Sequence, residues 1–459
     1  MSAVGASATL FRYERMPREE LDRLKLAKVR RQLERAFARN GFYRDRFAKA
    51  GVTPDRVDSL ETFAALVPTC SKADFMADQL EAPPFGRRLG VPRENVALLN
   101  MTGGTSGQGQ EIYGRTNHDV AIQGYLHFLP WYLAGLRPGH LALNCVPAGG
   151  FTTGGWGPPE GFRVAGATAL NAGGVTGTEQ KVELMLRFPD VAFIYASMNY
   201  LHTLTEAVRK AGFLPRERFR NMAGMFIAGE SYPAGWAQSI VEAWSCPLHE
   251  GYGSTQGAGF IAGTCEKSAV RDDGRQPCMH VFEWENMVEI VDPETGRHVA
   301  PGEKGEIVLT NLGILGSPVI RFATRDKARY LPAGECGCGR AWDCIEAGTI
   351  ERYDDMLKIR GNNVWPATVD AVMFARGEVA EYHARVFTDD KGRTEIDLRY
   401  AVSPECADEL RARLGELLRA EIKERTNVWM TLREVPPAQL PTFTYKARRW
   451  SDERKTGYA

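Results

Sequence analysis

The sequence has no excess of charge of either sign. Its 459 residues include 57 Lys and Arg and 57 Asp and Glu, so the formal net charge at pH 7 is zero. A chain without a net positive field has no general attraction for nucleic acid or for an anionic membrane, and we expect neither as a partner. A short basic run near the C-terminus, formed by Arg448, Arg449, Arg454 and Lys455, is typical of a solvated surface.

Long apolar runs and a leader segment are also missing. No uninterrupted apolar stretch approaches the roughly 20 residues that span a bilayer. Residues 1–9 lack the basic stretch and the following apolar stretch of a secretory signal. The nine cysteines are scattered along the chain, unlike the dense framework of a small secreted domain. We therefore expect a cytoplasmic protein with reduced thiols or a bound metal.

What the sequence does contain predicts two domains. A chain of 459 residues is too long for one compact core. From Leu141 to about Ile320, short apolar runs alternate with helical patterns, which is typical of α/β layers around a largely parallel sheet. A polar junction follows at Tyr353-Asp354-Asp355. We predict a large N-terminal α/β domain of layered sheets and helices over residues 1–353, and a small mobile α+β C-terminal lid domain over residues 354–459.

Glycine and hydroxyl residues are concentrated between Thr102 and Gln110, directly after a short strand candidate. Glycines allow several backbone N–H groups to turn toward one point, and Thr and Ser hydroxyls add further donors, so the segment suits a polyphosphate. No Lys-Ser or Lys-Thr pair follows the second glycine, which excludes a Walker A loop. Taken alone, the segment is equally compatible with a flexible surface loop.

A series of segments, in one order along nearly the whole chain, resembles the adenylate-forming superfamily of acyl-CoA synthetases, luciferases and peptide-synthetase adenylation domains. Within it the sequence looks most like the phenylacetate–CoA ligases. The segments that carry the resemblance are residues 102–110, Phe151 to Trp156, Gly229-Glu230-Ser231, Tyr252-Gly253-Ser254-Thr255-Gln256, Arg321 to Asp326, Arg352 to Gly361, and Tyr445-Lys446-Ala447.

The resemblance implies a site for ATP, with AMP as the product. Asp326 would accept hydrogen bonds from both ribose hydroxyls, a task suited to a carboxylate. Tyr252 would lie against the adenine, and Thr255 would contact the α-phosphate or the acyl carbonyl. The phosphates would be held by Thr102, Gly103, Gly104, Thr105, Ser106 and Gly107. The remaining residues implied at the nucleotide are Glu230, Gly253, Ser254 and Arg352.

Lys446 is the predicted catalytic residue, with Thr255 and Gln256 assigned beside it. Attack of a carboxylate on the α-phosphate brings two anions together, and an ammonium group that contacts both stabilises the transition state. An exposed lysine in a basic tail is the alternative interpretation. By the same resemblance, Asp354 is the hinge at which the lid rotates, so that the acyl group can pass to coenzyme A.

The acid is expected in a slot lined by aromatic residues with small residues at its floor. The residues assigned to it are Phe151, Trp156, Tyr200, Phe226 and Gly251, although most of them could equally be core. The predicted function is ATP-dependent activation of a small aromatic carboxylic acid as its acyl-AMP, followed by transfer to coenzyme A. Homodimers are frequent among similar ligases, so a homodimer is expected by fold analogy.

Three residues depart from the family pattern at the nucleotide end. Gln256 stands where the family has a glutamate that helps to hold Mg²⁺, and a neutral amide binds a hard cation less strongly. Ala323 replaces an arginine, and Gln108 replaces a lysine. These departures leave alternatives open: an amine or a carrier protein as the acceptor, activation of nitrite for diazotisation, or a nucleotide-binding protein that does not catalyse.

A metal site is a further hypothesis. Cys336-Gly337-Cys338-Gly339 is a tight Cys-x-Cys pair, and Cys265, Cys278 and His280 lie upstream. Three thiolates and one imidazole form a closed tetrahedral site for structural Zn²⁺. A similar arrangement in some phenylacetate–CoA ligase relatives favours Cys265, His280, Cys336 and Cys338 as the ligands. Free thiols in a reducing cytosol are the alternative.

Overall fold

A computed structural model describes residues 3–102, 109–229, 232, 234–353, 357–360, 362–375, 377–389, 392–404, 406–441 and 449–454. The N-terminal part is helical. Its helices are α1 (Ala3–Glu14), α2 (Arg18–Arg39), α3 (Gly41–Lys49), α4 (Leu60–Leu66) and α5 (Lys72–Glu81). Helices α4 and α5 both begin at capping boxes, in which Ser59 accepts from the Thr62 N–H and Ser71 from the Asp74 N–H. These caps satisfy helix N–H groups that otherwise lack a partner.

A short hairpin follows the helical region. It consists of β1 (Leu98–Met101) and β2 (Ile112–Arg115), which pair antiparallel with Met101 opposite Ile112. The glycine-rich segment is therefore the connection of a hairpin. Helix α6 (Asn117–Leu133) continues from β2. It starts at a capping box formed by Thr116 and Asp119, and the Asp119 carboxylate also accepts from the Leu315 N–H at 2.7 Å.

The centre of the molecule is a 12-stranded mixed sheet. Its strands are β3 (Leu141–Pro147), β4 (Thr168–Gly173), β5 (Val191–Ala196), β6 (Gly224–Ala228), β7 (Leu248–Ser254), β8 (Gly259–Thr264), β9 (Cys278–Val281), β10 (Asn286–Val291), β11 (Lys304–Asn311), β12 (Phe322–Leu331), β13 (Cys344–Glu346) and β14 (Glu351–Arg352). The order is β10-β11-β12-β13-β9-β8-β7-β6-β5-β3-β4, and β14 pairs with β12. Strands β4, β3, β5, β6 and β7 are parallel, and the others pair antiparallel.

Helices cover both faces of the parallel strands. They are α7 (Thr153–Ala165), α8 (Thr178–Arg187), α9 (Met198–Lys210), α10 (Pro215–Arg218) and α11 (Ala234–Trp244). Every residue of β5 is buried, as expected for a parallel strand between two helical layers. Successive side chains of a strand point to opposite faces. Accordingly Phe193 and Tyr195 pack into one hydrophobic cluster with Trp131, whereas Ile194 packs into another with Trp244.

The C-terminal part forms a separate four-stranded sheet in the order β19-β18-β17-β20. The elements of this C-terminal part are β15 (Leu357–Ile359), β16 (Asn362–Val364), α12 (Pro366–Met373), β17 (Val379–Thr388), β18 (Thr394–Val402), α13 (Asp408–Thr426), β19 (Thr431–Glu434) and β20 (Trp450–Asp452). Strands β15 and β16 pair with each other in a separate two-stranded sheet. Tyr382, Leu398 and Ile422 belong to its own hydrophobic cluster. The predicted fold class is confirmed. The boundary after residue 353 stays a prediction, because residues 354–356 lie outside the described ranges.

One contact between the two sheets is polar. Arg449, which precedes β20, donates through Nη2 to the Asn199 side chain of α9 at 2.5 Å, and its Nε donates to Glu381 at 2.6 Å. The guanidinium therefore connects the C-terminal sheet to α9, a helix that packs against the large sheet. Among the described residues, no helix combines the length and the apolar character that a bilayer crossing requires.

A buried ion cluster attaches α2 to the large sheet. The Glu283 carboxylate is 3% exposed and lies 2.6 Å from the Lys25 ammonium and 2.9 Å from the Arg18 guanidinium. Its Oε2 also accepts from the Asp343 N–H at 3.0 Å. Because Lys25 is itself 5% exposed, loss of the carboxylate would deprive a buried ammonium of its 2.6 Å partner and leave Asp22 at 3.1 Å.

We expect Glu283→Gln, which keeps the side-chain shape but removes the charge, to lower the free energy of unfolding by about 3 kcal/mol. Urea unfolding followed by tryptophan fluorescence measures the change. The matched control is Glu160→Gln, which removes an exposed ion pair with Arg163 and should change stability by less than about 1 kcal/mol. Equal, small effects of the two substitutions would contradict this account.

Candidate active site

The hairpin β1–β2 positions the base of the glycine-rich segment. The Thr102 N–H donates to the Glu111 carbonyl at 3.1 Å, and the Glu111 N–H donates to the Thr102 hydroxyl at 3.1 Å. These two bonds extend the hairpin pairing by one residue on each side. The predicted phosphate-binding residues Gly103, Gly104, Thr105, Ser106 and Gly107 lie outside the described residues.

Three predicted nucleotide residues come together where β7, β12 and β14 meet. The Tyr252 hydroxyl donates to Asp326 Oδ2 at 2.6 Å, and Arg352 Nε lies 3.4 Å from Asp326 Oδ1. The sheet register sets this arrangement, because Asp326 is directly opposite Arg352 in the β12–β14 pair. Burial, together with the Asp326 charge, holds the pKa of Tyr252 well above the usual tyrosine value, so the phenol stays a donor. The carboxylate is thus oriented by a neutral donor and a cation.

The turn after β7 is held from a distant part of the chain. The buried Arg115 of β2 donates through Nη2 to the Thr255 carbonyl at 2.6 Å. Ser254 Oγ accepts from the Gly257 N–H at 3.1 Å. At Gly253 a Cβ atom would lie 2.6 Å from the Gly259 carbonyl oxygen, so this position has no room for a side chain. The predicted residues Gly253, Ser254 and Thr255 therefore sit on a turn with little freedom, and Arg115 is a contributor that sequence inspection missed.

The neighbouring Gln256 faces a buried carboxylate. Its side-chain amide donates to Glu111 Oε1 at 3.2 Å and to Oε2 at 3.1 Å. The Tyr113 hydroxyl donates to Glu111 Oε1 at 2.9 Å. The Glu111 residue is 1% exposed. Sequence inspection missed Glu111 as well, although its position directly after the glycine-rich segment was a usable signal.

The predicted acid slot is brought together only in part. Phe226 of β6 and Gly251 of β7 are adjacent, since a Cβ at Gly251 would lie 2.6 Å from the Phe226 ring and 2.8 Å from Phe260. Phe226 also packs against Trp131 and Tyr195, with ring centroids 6.3 and 6.1 Å apart. These rings form a buried aromatic cluster on one face of the sheet, next to the strand that carries the Tyr252 motif.

The other three residues assigned to the slot lie elsewhere. Tyr200 packs with the cluster on the opposite face of the sheet, and its hydroxyl lies 3.1 Å from that of Thr178. Phe151 and Trp156 are 63% and 45% exposed. The Phe151 carbonyl accepts from the Met101 N–H at 2.7 Å, so its segment runs beside the glycine hairpin. The structure does not place these three side chains against Phe226.

Three predicted residues lie outside the described residues: Glu230, implied at the nucleotide, the hinge Asp354 and the catalytic Lys446. Their roles stay predictions. Neighbouring described positions locate these residues along the chain. Gly229 directly precedes Glu230, Tyr353 directly precedes Asp354, and Leu440 and Arg449 lie on either side of the stretch that contains Lys446.

The predicted metal ligands form a compact group. The ligand atoms of Cys265, His280, Cys336 and Cys338 all lie within 4.8 Å of one another. Cys265 Sγ is 3.7 Å from Cys336 Sγ, and Cys338 Sγ is 3.4 Å from His280 Nε2. The Cys265 thiol beside Cys336 lowers the pKa of Cys336, and a thiolate is the form that binds metal. His280 Nδ1 lies 3.2 Å from Cys344 Sγ, which fixes the ring orientation.

Comparison with known proteins identifies the family. Residues 167–315 match the AMP-binding enzyme model, and residues 361–454 match the AMP-binding enzyme C-terminal domain. The phenylacetate–coenzyme A ligase of Thermus thermophilus is 30% identical over 460 residues, covering 96% of this chain and 98% of the relative. The chain belongs to the AMP-binding enzyme family. It is an AMP-forming ligase, and the family resemblance predicted from the ordered motifs is confirmed.

Two further proteins similar to this AMP-binding enzyme are also acid–coenzyme A ligases. The phenylacetate–coenzyme A ligase of Aromatoleum evansii is 27% identical over 453 residues, with 96% of each chain covered. Among solved structures, a 2-hydroxyisobutyryl-CoA ligase in the postadenylation state, in complex with 2-HIB-AMP, superposes with a TM-score of 0.84. It is 25% identical, and the alignment covers 96% of this chain and 91% of that chain.

A second buried carboxylate links three segments of the ligase. Glu250, next to Gly251 on β7, accepts from the Tyr232 hydroxyl at 2.8 Å and from the Gly348 N–H at 2.7 Å, both at Oε2. Tyr232 follows the segment Gly229-Glu230-Ser231, and Gly348 precedes β14. Burial raises the pKa of Glu250 to about 7, although both hydrogen bonds act in the opposite direction. This carboxyl thus joins β7 to both loops at the nucleotide end.

This pKa makes stability depend on pH. The folded state holds the Glu250 proton more tightly than the unfolded chain, so the contribution to stability is complete below about pH 4.5 and is lost as the pH rises through about 7. Relative to Glu250→Gln, which does not titrate, wild type should lose about 3 kcal/mol of unfolding free energy across this range. Urea unfolding at about pH 5 and about pH 8 measures it. The control is Glu242→Gln at an exposed position of α11, and a pH-independent difference for Glu250→Gln would contradict the assignment.

Proposed function

We propose that the ligase activates a small aromatic carboxylic acid as its acyl-AMP and then transfers the acyl group to coenzyme A. The observation that carries the proposal is the Tyr252–Asp326–Arg352 cluster, which sits at the end of β7 beside the glycine hairpin. It supports a nucleoside site at the place where the family motifs predict one. The match to phenylacetate–coenzyme A ligases over 96% of the chain supports the acid and the acceptor.

In the first half-reaction, an oxygen of the substrate carboxylate attacks the α-phosphorus of ATP. A new oxygen–phosphorus bond forms, the bond between the α-phosphorus and the bridging oxygen breaks, and pyrophosphate leaves. Asp326 would hold the ribose, and its orientation by Tyr252 and Arg352 reduces the reorganisation needed on binding. Lys446 would place an ammonium group between the two anions, and Thr255 would contact the α-phosphate. Mg²⁺ neutralises phosphate charge when it is bound.

The aromatic class of acid is supported by the cluster around Phe226. Phe226 and Phe260 are 0% and 4% exposed, and their rings lie against Gly251 of β7. A flat ring gains contact area between such side chains. The matched 2-hydroxyisobutyryl-CoA ligase carries a non-aromatic acyl-adenylate. The acid panel described below therefore includes that aliphatic acid.

In the second half-reaction, the thiolate of coenzyme A attacks the acyl carbonyl, the carbon–sulfur bond forms, and AMP leaves. We place the hinge at Asp354, between a large domain of residues 1–353 and a lid of residues 354–459. The separate hydrophobic cluster of the C-terminal sheet supports movement of this part as a unit. The Arg449–Asn199 contact is one that such a movement would break.

We also propose that Cys265, His280, Cys336 and Cys338 hold structural Zn²⁺. At zinc–sulfur distances of about 2.3 Å, two thiolates of a tetrahedral site lie about 3.8 Å apart. The Cys265–Cys336 separation of 3.7 Å fits this value, and the Cys338–His280 separation of 3.4 Å fits a mixed sulfur–nitrogen pair. Zinc would supply no chemistry to the reaction; it would join β8 and β9 to the loop that contains Cys336.

Acid-dependent exchange of pyrophosphate into ATP tests the first half-reaction. The panel comprises phenylacetate, benzoate, hydroxy- and aminobenzoates and arylacrylates, with 2-hydroxyisobutyrate as the aliphatic comparison. We expect exchange with at least one aromatic acid and little with the aliphatic acid. Lys446→Ala should lower the exchange rate about 100-fold or more, because it removes the charge that follows the transition state. The matched control, Lys210→Ala at the exposed end of α9, should leave the rate unchanged.

The acceptor is identified by product analysis with the best acid. Coenzyme A, an amine, a carrier protein and nitrite are supplied in parallel. Thioester formation in the coenzyme A reaction alone is the expected result. Acyl-AMP that accumulates without thioester would reject the second half-reaction and would support one of the other acceptors. Nucleotide binding without pyrophosphate exchange for any acid would support a protein that does not catalyse.

Metal analysis of the purified protein tests the zinc site. We expect about one zinc per chain, and we expect its removal by a chelator to lower the unfolding temperature. Cys338→Ser should lower both the zinc content and the unfolding temperature. Cys406→Ser, which changes a half-buried thiol outside the group, should change neither. A metal-free wild-type protein with unchanged stability would show that the four side chains are free thiols and imidazole.

A further inference from the structure

Gln256, which stands where the family has a glutamate, is accompanied by a buried carboxyl group from another segment of the chain. Glu111 follows the glycine-rich segment, and both of its carboxylate oxygens accept from the Gln256 amide at 3.1–3.2 Å. An amide and a carboxylate therefore face one another beside the segment predicted to hold the phosphates. The acidic oxygen that position 256 lacks is present within hydrogen-bond distance of it.

The carboxyl group of Glu111 lies in the interior. The residue is 1% exposed, and its described partners, Tyr113 and Gln256, are both neutral donors. No salt bridge joins Glu111 to another residue in the described part of the chain. The nearby guanidinium groups of Arg88 and Arg115 lie over the Tyr113 ring, each 5.2 Å from its centroid.

Such an arrangement is costly for a purely structural purpose. Burying a carboxylate without a contacting cation carries a large desolvation penalty. A structural link between β2 and the turn after β7 is already present in the Arg115–Thr255 hydrogen bond, at 2.6 Å. A hard divalent cation, by contrast, requires anionic oxygen ligands and is held in nucleotide sites by one or two carboxylates together with substrate phosphates.

We propose that Glu111 supplies the carboxylate ligand for the Mg²⁺ ion that accompanies ATP, in place of residue 256. Gln256 orients this carboxyl group through its amide, and is a positioning residue. The donor set fits the ion, because Glu111 offers carboxyl oxygens and because Thr102, a predicted phosphate contact, is paired to it across the base of the hairpin. The inference rests on the proposed ATP-dependent function.

Binding of Mn²⁺, a paramagnetic substitute for Mg²⁺, tests the inference without turnover. Full-length protein is mixed with a non-hydrolysable ATP analogue, and free Mn²⁺ is followed by electron paramagnetic resonance. Glu111→Gln should weaken Mn²⁺ binding to the enzyme–nucleotide complex about tenfold or more. The double variant Glu111→Gln with Gln256→Glu returns a carboxylate to the facing position, and should recover most of the lost affinity. Glu160→Gln on the exposed surface is the control.

The unfolding temperature of each variant separates a ligand role from a structural one. Lower stability of Glu111→Gln with unchanged Mn²⁺ affinity would overturn the inference, as would failure of the double variant to recover affinity when it is folded. Gln256→Glu alone places two carboxylates in contact, so its unfolding temperature should rise more with Mn²⁺ than that of wild type. Wild-type protein that binds no nucleotide would reject the proposed function, and the inference with it.

Discussion

The site depends on one buried guanidinium. Arg115 donates to the Thr255 carbonyl at 2.6 Å, to the Ser317 carbonyl at 3.3 Å and to Asn100 Oδ1 at 3.4 Å. The three acceptors belong to the turn after β7, the segment before β12 and strand β1. Arg115 is 0% exposed, and this burial lowers the pKa of its guanidinium. If any of these segments moved away, a buried donor would lose its partner, so the glycine hairpin and the Tyr252 motif keep a fixed relation.

The large sheet adds a second constraint, because it changes from parallel to antiparallel pairing at β7. The parallel pairing of β6 with β7 ends at Ala228 opposite Gly251, and β7 continues to Ser254. The antiparallel strand β12 then brings Asp326 to the Tyr252 hydroxyl. Catalytic side chains commonly sit at the carboxyl ends of such strands. Here Gly251, which lies against the aromatic cluster, and Tyr252, which contacts Asp326, are consecutive residues of β7.

The fold and part of the site were predictable from the sequence, because contiguous motifs report local backbone geometry. The alternation of apolar runs predicted the α/β layers, and the family motifs assigned Tyr252 and Asp326 to one nucleotide site, where the structure shows them in contact. Contacts between distant positions were not predictable in this way: Glu111 and Gln256 are 145 positions apart, and no local pattern records their contact. Tyr200 was assigned to the slot on its aromatic character, but it lies on α9, and this helix packs it with the cluster on the opposite face of the sheet.

These distant contacts change how a departure from a motif is interpreted. A hard cation selects its ligands by charge, atom type and distance, and the position of a carboxylate along the chain does not enter that selection. Gln256, in the turn after β7, brings no carboxylate, whereas Glu111, the residue before β2, places one 3.1 Å from the Gln256 amide. Gln256 on its own argues for a weakened nucleotide site, whereas Gln256 facing Glu111 argues for a site whose ligand has moved from the turn after β7 to the residue before β2.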